Sequence, residues 1–205
     1  MGSGQFCPSC GKTEGSFIRG LCSSCFLKGP PVLILPERIE LQFCRQCQKI
    51  RVFGKWQPLT SEALKQIAEK KSKANDLNDA SITAEVLENP EAGDFSGKGK
   101  KEVELAVTAK GFIESVPVLV EGKTKAVLLP GLCDACMRLK SDYFEAKIQL
   151  RGKQSRKMVQ RLRVLIGSLK KKDSLSAIVA LEKDKNGFDA LIGSKKAASI
   201  AARQL

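Results

Sequence analysis

Eight cysteines carry the most evident chemistry in this chain. All eight fall in C-x-x-C doublets: Cys7/Cys10, Cys22/Cys25, Cys44/Cys47 and Cys133/Cys136. A C-x-x-C turn presents two sulfurs to one ion, and a tetrahedral zinc takes four thiolates at about 2.3 Å. In CPSCG, Gly11 can supply the positive φ that closes such a knuckle. The chain has no histidine, so every closed site must be built from four cysteines. A tetrathiolate leaves no open position for water, which points to structural rather than catalytic zinc. Eight sulfurs make two sites, hence two Zn2+ per chain. A disulfide scaffold would need an oxidising compartment and a shorter, cysteine-denser chain.

Spacing pairs the doublets. Cys7, Cys10, Cys22 and Cys25 read C-x2-C-x11-C-x2-C, a compact zinc-ribbon spacing. That assigns Cys44 and Cys47 to Cys133 and Cys136 by elimination, across 85 intervening residues. An interleaved pairing, first doublet with third and second with fourth, stays open. So does iron, since CPSCG resembles a rubredoxin knuckle. A redox C-x-x-C is the weakest reading, because it strands another doublet.

No second chemistry competes. The chain contains no G-x-x-x-x-G-K-[ST] phosphate loop and no G-x-S-x-G elbow. Nothing in the sequence groups two carboxylates for acid–base work. The expectation is that the protein is not an enzyme.

Charge supplies the other functional signal. The net charge is +13. From Met137 to Leu205 there are 17 basic and 6 acidic residues, so most of the excess lies in the last third. A basic segment beside a nearly neutral one suits a polyanion, most often nucleic acid. The sharpest stretch holds Arg151, Lys153, Arg156, Lys157, Arg161, Arg163, Lys170, Lys171 and Lys172 with no acidic residue among them. Met158, Val159, Leu162, Leu165, Ile166 and Leu169 follow helical spacing through it. The pattern predicts a helix docked by its apolar stripe that offers a basic surface to RNA phosphates. An anionic membrane surface is the alternative, and the lack of aromatics on this helix counts against it.

These residues need elements to position them. MGSGQ at residues 1–5 reads as a cloning scar and is set aside. The 42% hydrophobic content supports a folded core, yet no apolar run reaches the length of a membrane span. GPPVLILPERIELQFC reads as an extended connector entering a strand, since its prolines oppose a helix. IRVFGKWQP predicts a hairpin turning at Gly54, with Trp56 packed beside a knuckle. Thr60 and Ser61 are candidate N-caps for a helix through Leu64, Ile67 and Ala68. SITAEVLENP is expected to be a helical turn or short helix stopped by Pro90, and EAGDFSGKGKK a loop. EVELAVTAKGF and SVPVLVEGKTKAVLLP predict two or three strands, with EGKTK as a hairpin turn. DYFEAKIQLRG alternates as a half-buried strand. SAIVALEKDKNGFDALIGS predicts a hairpin turning at Asn186-Gly187. Ser194 is expected to cap a final helix, KKAASIAARQL.

The expected fold is therefore α+β. A zinc-binding region, 6–47 plus 133–152, carries two tetrathiolate zinc-ribbon-like sites. An α+β insertion, 48–132, lies between the halves of the second. A basic α/β module of helix, hairpin and helix, 153–205, follows.

The ordered set FCPSCG, LCSSCF, FCRQCQ followed by GKW, and LCDACMR followed by YFEAKIQLRG resembles the N-terminal region of the NMD-three family. The likeness covers essentially the whole chain, and NGFDALIGSKKAASIAARQL resembles the start of the family's next module. It implies a late assembly factor that binds the large ribosomal subunit through ribosomal RNA and ribosomal proteins. Another subunit-bound assembly factor is a further implied partner. Eukaryotic members carry C-terminal nuclear signals, and none is visible here; the resemblance is thus to archaeal-type members, and a cytoplasmic monomer without membrane contact is expected. The competing expectation is a zinc-ribbon adaptor that docks another assembly or translation factor without direct RNA binding.

Overall fold

A computed structural model describes residues 6–87, 99–170 and 172–205. The chain folds as two compact units, Met1–Gly131 and Leu132–Leu205.

The first unit begins with a small ribbon. Strands β1 (Phe17–Ile18) and β2 (Leu21–Cys22) pair across Arg19-Gly20, whose φ values of 49° and 80° give the doubly left-handed turn that suits a tight hairpin. A single helical turn, α1 (Ser23–Phe26), follows. Strand β3 (Leu33–Ile34) then leads into β4 (Arg38–Cys44). In β4, Ile39, Leu41 and Phe43 are buried while Arg38, Glu40 and Gln42 are exposed, the period-2 pattern of a half-buried strand.

Strands β5 (Lys49–Val52) and β6 (Lys55–Pro58) form the expected hairpin, with Phe53-Gly54 at its turn and Trp56 half-buried. Helix α2 (Ser61–Lys71) starts where Thr60 Oγ1 accepts the Ala63 amide at 3.2 Å. Glu62 in its first turn and Lys70 and Lys71 in its last both suit the helix dipole. Its buried stripe is Ala63, Leu64, Ile67 and Ala68.

Strand β7 (Lys73–Ala74) pairs with β3. Strands β8 (Asn78–Val86), β9 (Lys101–Ile113) and β10 (Val116–Gly131) complete a six-stranded sheet in the order β6-β5-β4-β10-β9-β8. All its pairings are antiparallel except β4 with β10. Helix α2 packs its stripe with Leu41, Phe43, Leu105, Val107 and Leu128 into the main core.

Two expectations fail here. SITAEVLENP is not helical: residues 81–86 belong to β8, and residues 88–90 lie outside the described residues. Ile82, Ala84 and Val86 alternate and pair opposite Ala109, Val107 and Leu105, so cross-strand packing overrides the local helical preference. EGKTK is not a turn either. It runs inside β10, while the β9–β10 loop is Glu114-Ser115, with Glu114 at φ 55°. Gly122 marks a close approach: a Cβ there would come 2.5 Å from Leu35 Cδ1. Beside it the buried Thr124 donates its hydroxyl to the Pro36 carbonyl at 2.6 Å. The loop expected at EAGDFSGKGKK lies mostly outside the described residues, and β9 begins at its last residue, Lys101.

The second unit opens with α3 (Asp134–Lys140), then β11 (Ala146–Arg151) and α4 (Ser155–Leu169). Strands β12 (Ile178–Asp184) and β13 (Gly187–Ile192) form a hairpin, and α5 (Lys195–Gln204) ends the chain. The sheet order is β11-β13-β12. One face buries Leu150, Ala190 and Ile192 against Val159, Leu162 and Ile166 of α4 and Ala197, Ala198 and Ala201 of α5. The hairpin turn sits one residue earlier than expected. Lys185-Asn186 forms it, and Gly187 is the first residue of β13, opposite Arg151. A Cβ at Gly187 would collide with the Leu150 carbonyl, so the glycine serves strand approach rather than the turn. Ser194 caps α5 as expected, its Oγ accepting the Ala197 amide at 3.2 Å.

Candidate metal centres and nucleic-acid interface

The eight thiols gather into two quartets, Cys7, Cys10, Cys22, Cys25 and Cys44, Cys47, Cys133, Cys136. In each, the four Sγ atoms lie within 4.8 Å of one another. Thiolates about 2.3 Å from a tetrahedral ion lie about 3.8 Å apart, so both quartets fit an S4 ion. No cysteine is in a disulfide. This is the sequential pairing, and the interleaved one is excluded by the same geometry. Two zinc-ribbon-like sites in a mixed α+β fold are what the sequence predicted.

Both quartets share a plan of two unlike knuckles. The first and third doublets close through a backbone bond back to the leading cysteine. Gly11 N–H donates to the Cys7 carbonyl at 2.7 Å, and Gln48 N–H to the Cys44 carbonyl at 2.8 Å. Both closing residues take positive φ, 73° at Gly11 and 57° at Gln48. The second and fourth doublets begin helices instead. Cys22 and Cys133 are extended residues at the N-caps of α1 and α3. The Cys133 sulfur accepts the Cys136 amide at 3.4 Å, which turns a thiolate toward N–H groups that favour negative charge.

The supports differ. In the first quartet, Ser23 N–H and Oγ both donate to the Ser16 carbonyl, at 3.0 and 2.9 Å, tying the start of β1 to the start of α1. In the second, the end of β4 lies beside the end of β10, with Cys44 opposite Gly131 and Arg45 N–H bonded to the Gly131 carbonyl at 3.1 Å. Parallel pairing thus explains how 85 residues separate the two halves of one site.

The first quartet divides its charge unevenly. The Cys22 backbone N–H, helped by those of Ser9 and Cys10 and opposed by burial, lowers the Cys7 thiol to about 6. At Cys10 the Lys12 backbone lowers the thiol, but Cys22, Cys25 and Cys7 together hold it up to about 12. Such a cluster holds one thiolate readily and resists carrying four, a conflict that a dication relieves. Zinc bound by either quartet would supply a redox-inert crosslink, with the eight cysteines as its ligands.

The predicted basic residues fall into distinct settings. Lys153, Arg156, Lys157, Arg163, Lys170 and Lys172 are exposed on or beside α4 and form no ion pair among the described residues. Arg161 is also exposed, but its guanidinium donates to the Gln204 carbonyl at 2.9 Å and closes the end of α5. Lys171 lies outside the described residues.

Arg151 is on the outer face of the three-stranded sheet instead. It sits 2.6 Å from Asp189 Oδ1 and 3.2 Å from Asp184, and donates to the Phe188 carbonyl at 3.0 Å. Lys147 joins the lattice at 3.2 Å from Asp189 and 3.6 Å from Glu182. Arg151 first, then Lys147, holds the Asp189 carboxyl below the usual carboxylate range against partial desolvation. That sheet face therefore pairs Arg151 and Lys147 with Asp184, Asp189 and Glu182, whereas the exposed cations of α4 form no ion pair among the described residues. Lys195, Lys196 and Arg203 on α5 are exposed as well. They extend the basic surface beyond the run from Arg151 to Lys172; α5 holds only three bases, the Lys195-Lys196 pair and Arg203, in an otherwise small and polar segment that does not stand out as a charge run.

Two family models match the chain: NMD3, N-terminal domain, over residues 7–141, and NMD3, second domain, over residues 143–205. No curated protein matches it significantly. The two matches between them take in both cysteine quartets and the basic module, and the chain belongs to the NMD3 family.

Proposed function

We propose that this protein is a non-catalytic ribosome-biogenesis factor that binds the large ribosomal subunit late in assembly, through ribosomal RNA and ribosomal proteins. Family membership points to a ribosome-related factor. The observation that carries the finer reading is the outward face of α4, where Lys153, Arg156, Lys157, Arg163 and Lys170 stand exposed without an acidic partner among the described residues. A solvated helix face normally mixes signs; a single-sign face suits phosphates. Phosphate contacts give affinity with little sequence reading, so specificity would come from RNA shape and protein neighbours.

On this reading zinc is the metal of both quartets, bound by Cys7, Cys10, Cys22 and Cys25 and by Cys44, Cys47, Cys133 and Cys136, and it is structural. Residues 6–47 with 133–152 act as the zinc-binding region, with 48–132 inserted and 153–205 as the basic module. The protein works as a cytoplasmic monomer of archaeal type. Among the described residues no helix is long and apolar enough to cross a membrane.

The test is charge reversal at Arg156, Lys157 and Arg163, which leaves the Arg161–Gln204 bond intact. Cosedimentation with purified large subunits is expected to fall while the circular dichroism spectrum is kept. Unchanged cosedimentation refutes the helix as the RNA surface.

A second reading has its own observation. Phe112 and Leu119 are 45% and 53% exposed and line, with Pro117 and Val118, a depression near the end of the β9–β10 hairpin. That apolar patch suits a protein neighbour, as an adaptor for another assembly or translation factor would require. Salt separates the two: phosphate binding falls steeply as salt rises, and an apolar interface does not.

A further inference from the structure

The β5–β6 hairpin turns on a residue that its geometry disfavours. Phe53 has φ 47° and Gly54 has φ 83°, and a turn with both values positive suits Asn-Gly. The β1–β2 turn has the same backbone signs and places Arg19 at the equivalent position. Seven non-glycine residues take positive φ among the described residues; six are Arg, Gln, Asp or Glu, and Phe53 alone is apolar. A bulky side chain in this region is an outlier that burial would have to justify. Burial does not, since Phe53 is 55% exposed and belongs to none of the core clusters. A strained residue that nothing inside the fold requires points to a ligand outside it.

The surrounding charge indicates what that ligand carries. From Arg45 to Lys73 there are eight basic residues and two acidic ones, whereas the rest of residues 1–136 holds 10 basic and 14 acidic. Both acids are engaged within the fold: Glu62 accepts the Gln66 side-chain amide at 3.1 Å, and Glu69 accepts the Ala84 N–H at 3.1 Å. Arg51, Lys55, Lys70 and Lys71 are exposed and form no ion pair among the described residues. Lys70 Nζ stands 4.4 Å from the centre of the Phe53 ring, a cation–π contact.

No other large apolar side chain is exposed between Arg45 and Lys73. Phe53 is therefore a single ring among cations rather than part of an apolar patch. A protein neighbour would call for the patch. An unpaired base needs one flat ring, with cations for the phosphates on either side of it.

We propose that Phe53 stacks on an unpaired base of ribosomal RNA, with Arg51, Lys55, Lys70 and Lys71 meeting the flanking phosphates. This rests on the RNA reading above and adds to it a second contact, remote in sequence from α4. The exposed face of α4 has cations but no ring, so it binds paired and unpaired RNA alike. The bases of a duplex are already stacked on one another, and only a loop, bulge or single strand can offer a face to Phe53. The hairpin thus selects unpaired RNA.

The test uses the whole chain and two probes, an unstructured RNA oligonucleotide holding one 2-aminopurine and a fully paired RNA duplex of equal length. The parent is expected to prefer the unpaired probe and to quench its 2-aminopurine. Phe53→Asn gives the turn its favoured Asn-Gly, so folding is kept and the thermal midpoint should not fall. It is expected to lower affinity for the unpaired probe about tenfold and to abolish the quenching. Its salt slope and its affinity for the duplex should match the parent's, because no phosphate contact is lost. Phe53→Trp keeps a stacking ring and should keep both preference and quenching. Lys55→Gln with Lys71→Gln is expected to do the reverse, with a salt slope smaller by about one and quenching intact at saturation. The proposal is overturned if Phe53→Asn binds the unpaired probe as tightly as the parent, or still quenches it; the RNA reading then stands on α4 alone. A parent that binds neither probe nor large-subunit RNA overturns that reading and the proposal together. A Phe53→Asn chain that binds both probes as the parent does, yet no longer cosediments with large subunits, overturns the proposal in favour of a ribosomal-protein contact.

Discussion

The two cysteine quartets use the same ligands and the same pair of knuckles, yet they are assembled by opposite means. The first is drawn from 19 consecutive residues and is held by tight turns. Its surroundings are thin, with Ile18, Val32, Ile113 and Val118 as a small core, and Cys10 is exposed. The second joins a doublet at the end of β4 to one at the start of α3, 85 residues apart, and Cys44, Cys133 and Cys136 are all buried. Its leading knuckle hangs from a seven-residue parallel pairing that the main core already supports. The first quartet is therefore expected to depend on its ion for its fold, whereas the Cys44–Cys47 knuckle of the second is held by the paired ends of β4 and β10.

Metal removal is the largest way to break that contrast. Structural zinc contributes roughly 10–16 kcal/mol of apparent binding free energy, which in a site without its own core is folding free energy. A chelator titration is expected to withdraw the metal of the first quartet before that of the second. Amides from Phe17 to Phe26 should then exchange rapidly while those of β4, β9 and β10 stay protected. Metal analysis with hydrogen exchange by mass spectrometry reads both. Simultaneous loss of the two ions, with loss of the sheet, would show that the second quartet is no better supported than the first. Cys22→Ser and Cys44→Ser make the same comparison: each should leave one ion per chain, but only Cys22→Ser should expose the ribbon.

How far the sequence revealed these sites follows the same division. The first quartet was legible because every ligand lies within a ribbon spacing. The second could be paired only by elimination, since the parallel register that puts Cys44 opposite Gly131 is a tertiary fact. Elements with strong local signals were also legible: the Thr60 and Ser194 caps, the Gly54 hairpin and the apolar stripe of α4. The misreadings occurred where a partner strand decides. The segment from Ser81 to Val86 has mixed local preferences and becomes a strand only because β9 lies beside it. Gly122 looked like a turn residue, but it yields space to Leu35. Arg151 belonged to an unbroken run of bases, and only the sheet reveals Asp184 and Asp189 next to it. A charge run can be read in one dimension, but its compensation cannot.

Smaller changes sharpen the contrast without removing metal. Leu128 is 2% exposed in β10, three residues before the Gly131 that faces Cys44. Leu128→Ala should destabilise the first unit by about 2–5 kcal/mol, from lost transfer energy and a residual cavity. It should also weaken metal retention at the second quartet more than at the first, as measured by competition with a chromogenic chelator. Thr60→Ala removes only the cap of α2 and should cost about 1 kcal/mol. Helix α2 packs on the sheet but contributes no ligand, so thermal unfolding should shift slightly while both metal affinities stay unchanged.

The smallest expected effect belongs to the second unit, whose three-stranded sheet contains no cysteine and replaces metal with charge. Asp189 lies between Arg151 and Lys147, and its side chain is only 14% exposed. Arg151 is the main cause of its lowered pKa. Because the folded value lies below the unfolded one, the contribution of Asp189 is fully present above the ordinary carboxylate range. It is lost as pH falls through that range toward the folded value. Asp189→Asn should therefore lower stability near neutrality, and the parent should lose its advantage over the variant on acidification, the two converging at low pH. The quartets also respond to acid, since protons compete with metal for thiolate. Comparing parent and variant at each pH cancels that shared loss and leaves the lattice alone. Amide exchange along β13, followed from neutral pH downward, measures the difference directly. A gap that persisted undiminished into strong acid would mean that Asp189 acts through packing rather than through its charge.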